Sequence, residues 1–140
     1  MARVVLDRSP EQAYDLANDE SRFATFMKPR GPIPGVLRVE PEEGNVRRVF
    51  LSDGSSLLEE VYHRDRPRQV GYRWASRPKP PFSWLIKAAD ARWTFTPKGA
   101  GTEIVWRYRF TLTSLFAVPV AAPVLRMFRG WMQAALNRMR

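Results

Sequence analysis

The stretch ARWTFTPKGAGTEIVWRYRFTL, residues 91–112, decides the fold. Trp93 and Phe95 alternate with Arg92, Thr94 and Thr96. After a turn at Lys98-Gly99-Ala100-Gly101, Ile104, Trp106, Tyr108 and Phe110 alternate with Glu103, Arg107 and Arg109. A period of two over both arms predicts antiparallel strands with one buried and one solvated face. The buried face is aromatic.

The same grammar extends backwards. Val70, Tyr72 and Trp74 alternate with Gln69, Gly71 and Arg73 in a strand over 69–76, preceded by a turn at Asp65-Arg66-Pro67. Strands over 45–51 and 55–63 flank Asp53-Gly54, a two-residue hairpin signal. A first meander strand runs from Val36 to Glu40. Before it, Lys28-Pro29-Arg30-Gly31-Pro32-Ile33-Pro34-Gly35 is a loop. Nearer the start, Val4-Val5-Leu6 is a short strand. Ser9-Pro10-Glu11-Gln12 opens a helix, with Ser9 as N-cap, Pro10 in the first turn and Gln12 completing a capping box. A second short helix, 20–27, carries Phe23, Phe26 and Met27.

Forward of the quoted stretch, Leu125, Phe128, Met132, Leu136 and Met139 recur at helical spacing beyond Pro119 and Pro123. An amphipathic C-terminal helix needs an apolar partner, and the sheet supplies it. The expected class is α+β: a helix-grip, with a curved antiparallel sheet wrapped around a long C-terminal helix. At 140 residues, a single domain over 1–140 is expected.

Composition narrows the chemistry. With no cysteine, thiol nucleophiles, disulfides and thiolate metal sites are excluded. His63 is the only histidine, so a multi-histidine metal site is excluded and a Ser-His-Asp triad has one candidate base. Nothing implies a cofactor. The first residues hold no apolar run of signal-peptide length, and residues 112–125 fall short of a membrane span. A cytoplasmic protein is the expectation.

The net charge of +9 favours acidic partners, including anionic lipid headgroups. The basic residues are dispersed and no nucleic-acid motif accompanies them, so nucleic acid is disfavoured. Nothing in the sequence speaks to oligomeric state.

Several short segments resemble one family in order and spacing. They are Ser9-Pro10-Glu11-Gln12-Ala13-Tyr14, Pro34-Gly35-Val36, Leu51-Ser52-Asp53-Gly54, Arg92-Trp93-Thr94-Phe95-Thr96-Pro97 and Gly101-Thr102-Glu103-Ile104. Together they resemble the START-like superfamily, most closely its bacterial polyketide cyclase/dehydrase-like branch, the SRPBCC proteins. Phe23 and Phe26 stand where members often carry tryptophan, and the 28–34 loop is long and proline-rich. The resemblance implies a cavity for a hydrophobic ligand. It implies no single reaction, since members bind lipids, hormones and polyketides or act as enzymes.

A two-residue turn at Asp53-Gly54 pairs Phe50 with Leu57, Arg48 with Glu59 and Val46 with Val61, and these pairs are taken as inward. The candidate ligand-binding residues are then Arg48, Phe50, Glu59, Tyr72, Trp74, Trp93, Phe95, Trp106, Tyr108, Phe128 and Met132. An inward Arg48–Glu59 pair can anchor a ligand carboxylate or carbonyl, or Glu59 can act as general base. The plain alternative is a structural cross-strand ion pair. His63, two residues past Val61, falls on the same face at the sheet's end.

Phe82, Trp84, Leu85 and Ile86 lie between Lys79 and Lys87, an arrangement suited to a lid, an anionic membrane surface or plain packing. Three functions compete. The first is binding of a lipid or aromatic, polyketide-like molecule. The second is polyketide cyclase/dehydratase-like catalysis by Glu59, Arg48, Tyr72 and Tyr108. The third is docking on a membrane or protein.

Overall fold

A computed structural model describes residues 1–140. Strand β1 (Ala2–Leu6) leads to helix α1 (Pro10–Ala17). A 3-10 turn (Glu20–Arg22) and helix α2 (Phe23–Phe26) follow. Strands β2 (Val36–Pro41), β3 (Val46–Leu51), β4 (Ser56–Asp65) and β5 (Gln69–Trp74) precede a one-turn helix α3 (Phe82–Leu85). Strands β6 (Ile86–Lys98) and β7 (Gly101–Leu112), a 3-10 turn (Leu115–Ala117) and helix α4 (Val118–Asn137) complete the chain. The seven strands form one antiparallel sheet in the order β1-β7-β6-β5-β4-β3-β2. This is the expected α+β helix-grip.

Local signals act as predicted. The Ser9 hydroxyl accepts from the Gln12 N–H, and the Gln12 side chain accepts from the Ser9 N–H, closing the capping box. Pro119 sits in the first turn of α4, and Pro123 lies within it. The predicted helix over 20–27 is instead a 3-10 turn followed by one α-turn.

The β3–β4 hairpin departs from expectation. Its loop is Ser52-Asp53-Gly54, three residues, not two. Leu51 N–H donates to the Ser55 carbonyl at 2.9 Å, and Gly54 adopts φ +88°. A three-residue loop ending in a left-handed glycine is a standard hairpin closure. The extra residue slips the register by one, so Arg47 faces Glu59, Val49 faces Leu57 and Arg48 faces Leu58. A slip of one residue turns every β3 side chain over.

A bulge between Val61 and His63 has a similar effect on β4. His63 lies opposite Gly71 and Arg64 opposite inward Val70, which takes His63 off the inward face.

Helix α4 lies toward the β1 edge. Gln133 accepts from the Arg3 N–H at 3.0 Å and donates to the Arg3 carbonyl at 2.7 Å. Arg129 Nε donates to the Met1 carbonyl at 3.2 Å. The core below is closed by Trp106, Ile104, Met132 and Leu136. Because the helix favours one side, the space beneath β3, β4 and β5 is only partly filled.

Gly101 lies where the end of β1 leaves no room for a side chain on β7. A Cβ there lies 2.2 Å from the Leu6 carbonyl oxygen, so the backbone must move to admit one. Gly101→Ala is expected to cost about 1–3 kcal/mol by overpacking, read from denaturant midpoints at unchanged slope. A neutral result would show that β1 yields freely.

Candidate functional site

The unfilled space is a cavity of about 110 Å³ with 25 lining residues, 18 of them hydrophobic. Its inner end is built by Arg47, Glu59, Tyr72, Trp106 and Tyr108. Exposed Asp53 and Lys79 line its outer end, beside Pro34 and Phe82. The α4 side is closed by Leu125, Phe128 and Trp131.

Charge is concentrated at the inner end. Arg47 and Glu59 are 9% and 7% exposed, and both Nε and Nη2 of Arg47 reach Glu59 Oε1, at 3.1 and 3.0 Å. Nη1 reaches Glu20 Oε1 at 3.1 Å. The guanidinium also lies over the rings of Phe23 and Tyr72, at 5.4 and 5.1 Å. Burial opposes the Arg47 charge, but Glu59 and Glu20 outweigh it and keep the guanidinium protonated. Burial lifts the Glu59 carboxyl above the usual range, and Arg47 opposes that lift. Both guanidinium contacts fall on Oε1, which leaves Glu59 Oε2 free to accept.

Next to this pair, the Tyr72 and Tyr108 hydroxyls are 2.9 Å apart. One donates to the other, so one O–H remains to donate elsewhere. Trp74, edge-on to Tyr108 at 6.3 Å, turns its indole N–H toward the Tyr108 hydroxyl, whereas the buried indole N–H groups of Trp106 and Trp131 have no partner. Unspent buried donors in an apolar enclosure are uncommon and call for an explanation.

The candidate residues divide into three groups. Glu59, Tyr72, Trp74, Trp106, Tyr108 and Phe128 line the cavity. Trp93, Phe95 and Met132 are inward but belong to the packed core: Trp93 stacks on Trp106 at 4.4 Å, and Phe95 packs on Tyr14 at 5.1 Å. Arg48 and Phe50 are on the other face. Arg48 pairs with Glu42 at 2.9 Å and bonds Ser56, while the Arg38 guanidinium covers the Phe50 ring at 3.8 Å. The inward partner of Glu59 is therefore Arg47, not Arg48, because of the three-residue loop. Arg47 and Val49 lie inward against the sequence reading, Phe82 of the candidate lid lines the outer end, and Trp131 joins the α4 side. The glycine-terminated Ser-Asp-Gly was the signal for the first two.

A sequence profile described as polyketide cyclase/dehydrase and lipid transport matches residues 2–140. The chain belongs to that family. No curated protein matches it. Among solved structures, TTHA0849 from Thermus thermophilus is 20% identical, with TM-score 0.69 over 99% of this chain and 91% of the other. The di-domain ARO/CYC BexL from the BE-7585A biosynthetic pathway is 17% identical, with TM-score 0.70 over 98% of this chain and 47% of BexL. Ara h 8.0201 is 13% identical, with TM-score 0.68 over 98% and 93%. At these identities the likeness is one of fold.

For this family member the tyrosine pair makes a pH prediction. Burial raises both phenols, and the neighbouring Glu59 charge adds to the rise. A folded pKa above the unfolded one means stability that is present below about pH 10 and lost as pH rises through the folded value. Ultraviolet titration is expected to show Tyr72 and Tyr108 ionising late and together with unfolding. Tyr72→Phe should remove one late phenol. Early ionisation of both would place them in solvent.

Proposed function

We propose that this chain binds a hydrophobic small molecule in the cavity, preferably an aromatic, carbonyl-bearing one. The carrying observation is the lining: an apolar enclosure whose inner end holds a free tyrosine O–H and whose walls include the buried, unpartnered indole N–H groups of Trp106 and Trp131. Apolar walls with a few convergent polar groups are the usual make-up of ligand pockets. Donors without partners favour a ligand that brings acceptors. The Arg47 charge is already met by two carboxylates, so a ligand carboxylate gains little there. A cavity of about 150 Å³ takes one benzene ring, and this one is smaller at about 110 Å³, so an aromatic ligand must extend through the outer end.

Native mass spectrometry of the purified protein, beside its denatured mass, tests this. An adduct lost on denaturation, or uptake of an aromatic ketone from a panel with fatty acids, is the expected result. No adduct and no uptake from any class would sink the proposal.

A second reading is a polyketide cyclase-like enzyme. It is favoured by the family description and by Glu59, whose burial-raised carboxyl suits proton transfer and whose Oε2 is free. Glu59→Gln separates the two readings. Loss of conversion with binding retained supports catalysis.

A further inference from the structure

Charge is divided unevenly along the chain. Residues 71–140 hold 12 Lys and Arg against 2 Asp and Glu, whereas residues 1–70 hold 11 against 12. The whole positive excess lies in the second half. That half also carries the most exposed large apolar side chains: Phe116 at 93%, Leu115 at 87%, Trp84 at 70% and Val120 at 59%.

These side chains come from two segments that are tied together. Thr113 N–H donates to the Leu85 carbonyl at 3.0 Å, and Thr113 Oγ1 donates to the Trp84 carbonyl at 2.7 Å. The α3 turn is thereby fixed beside the 3-10 turn and the start of α4. From Leu115 to Leu125 no side chain carries a charge or a hydrogen-bonding group. Packing does not account for the exposed members. Phe82, Leu85 and Ile86 turn toward the protein, while Trp84 alone of that loop points out.

Cations accompany the patch. Arg77, Lys79, Lys87 and Arg126 are exposed, and none is in an ion pair. Arg77 donates to the Ser83 carbonyl, which holds it against α3. Asp53 lies close enough to Lys79 to feel its charge without bonding to it. Arg126 lies roughly 9 Å along α4 from Val120, within one headgroup layer of it. Exposed apolar side chains accompanied by cations outside any ion pair complement an anionic bilayer in both depth and charge. Trp84 at its margin suits the headgroup level. The apolar groups project from two turns and a helix start, with the unpaired cations on the same or neighbouring segments, a mix that suits a headgroup layer.

We propose that this face docks peripherally on an anionic lipid bilayer. Leu115, Phe116 and Trp84 enter the interface, and Arg77, Lys79, Lys87 and Arg126 meet the headgroup charge. No helix is long and apolar enough to cross the membrane, so the contact is superficial. Phe82, Lys79, Val124 and Leu125 also line the cavity, which sets its outer end beside the docked face. The docking itself does not depend on what the cavity holds.

Sedimentation of the full chain with vesicles tests this. Binding is expected to vesicles of phosphatidylcholine mixed with phosphatidylglycerol, weaker to phosphatidylcholine alone, and reduced by added salt. Brominated acyl chains should quench the tryptophan emission, and the quenching should disappear in Trp84→Phe. Leu115→Ser with Phe116→Ser should lower partitioning about tenfold or more. Both side chains are exposed, so circular dichroism and cavity uptake should be unchanged in the double variant. Three results would overturn the proposal: no binding by the wild type, equal binding by the double variant, or a self-association in ultracentrifugation that the double variant abolishes. Cavity uptake is read separately, so failure here leaves the ligand proposal standing.

Discussion

Arg47→Ala is expected to lower the free energy of unfolding by about 3–5 kcal/mol, because it strands the Glu59 carboxylate in the interior. For a chain of this length that is on the order of 10 °C in melting temperature. The pair is buried, and Arg47 supplies both contacts to Glu59 Oε1. Glu20 adds a third interaction from a more exposed position. Attraction between the two charges offsets desolvation only while both are present. Arg47→Met with Glu59→Leu removes both charges at similar volume and should come within about 1 kcal/mol of the wild type, or exceed it.

The loss in Arg47→Ala should depend on pH. Burial already raises Glu59, and Arg47 is what restrains it. Without Arg47 the folded pKa rises further above the unfolded value. Stability is then present below about pH 4, the unfolded range, and lost as pH rises through the folded value. The deficit against wild type should therefore shrink in acid. Chemical denaturation at neutral and acidic pH measures it. A single-variant cost below about 1 kcal/mol would mean that the ion pair sits in solvent.

That prediction rests on a residue that sequence patterning had passed over, for a definite physical reason. Strands β5, β6 and β7 alternate one polar residue with one aromatic, so only one face can be buried. Strand β3 reads Val46-Arg47-Arg48-Val49-Phe50-Leu51, with an arginine and two apolar residues on each face. Periodicity cannot orient it, and orientation fell to the turn. Ser-Asp-Gly closes a two- or a three-residue loop with the same letters, and the structure takes the longer one. Strand β4 was oriented correctly up to Val61, so Glu59 was placed inward while its partner was misassigned.

The division between cavity and core was not legible either. Trp74, Trp93, Tyr108 and Met132 share one sidedness in sequence, yet two line the cavity and two do not. What separates them is the sideways position of α4. Gln133 and Arg129 draw it toward β1 through bonds to Arg3 and Met1. Periodicity reports which face of a helix is buried, and says nothing about which strands it covers. The exposed apolar run at 115–120 was hidden for the same reason. In sequence, residues 112–125 read only as an apolar stretch too short to span a membrane, and nothing in the pattern shows that Leu115, Phe116 and Val120 stay exposed.

Trp106→Ala is the second large effect, and it bears on the cavity directly. Trp106 is almost wholly buried, stacks on Trp93 at 4.4 Å and contacts Trp131 at 5.7 Å. Removing such a ring costs about 3–5 kcal/mol. Its indole N–H has no partner, so the substitution also relieves an unsatisfied donor, and the lower end of that range is expected. The void adjoins a cavity that is already there. An apolar aromatic such as naphthalene should then stabilise the variant more than the wild type, with a gain of about 2.7 kcal/mol at a hundredfold excess over its Kd. Thermal melts with and without the ligand measure both numbers. A fall in stability with no recovery by any aromatic would mean that the wall collapses inward and the space does not accept guests. Recovery in the variant alone would mean that Trp106 occupies part of the room a natural ligand needs, and that such a ligand must enter from the Lys79 end.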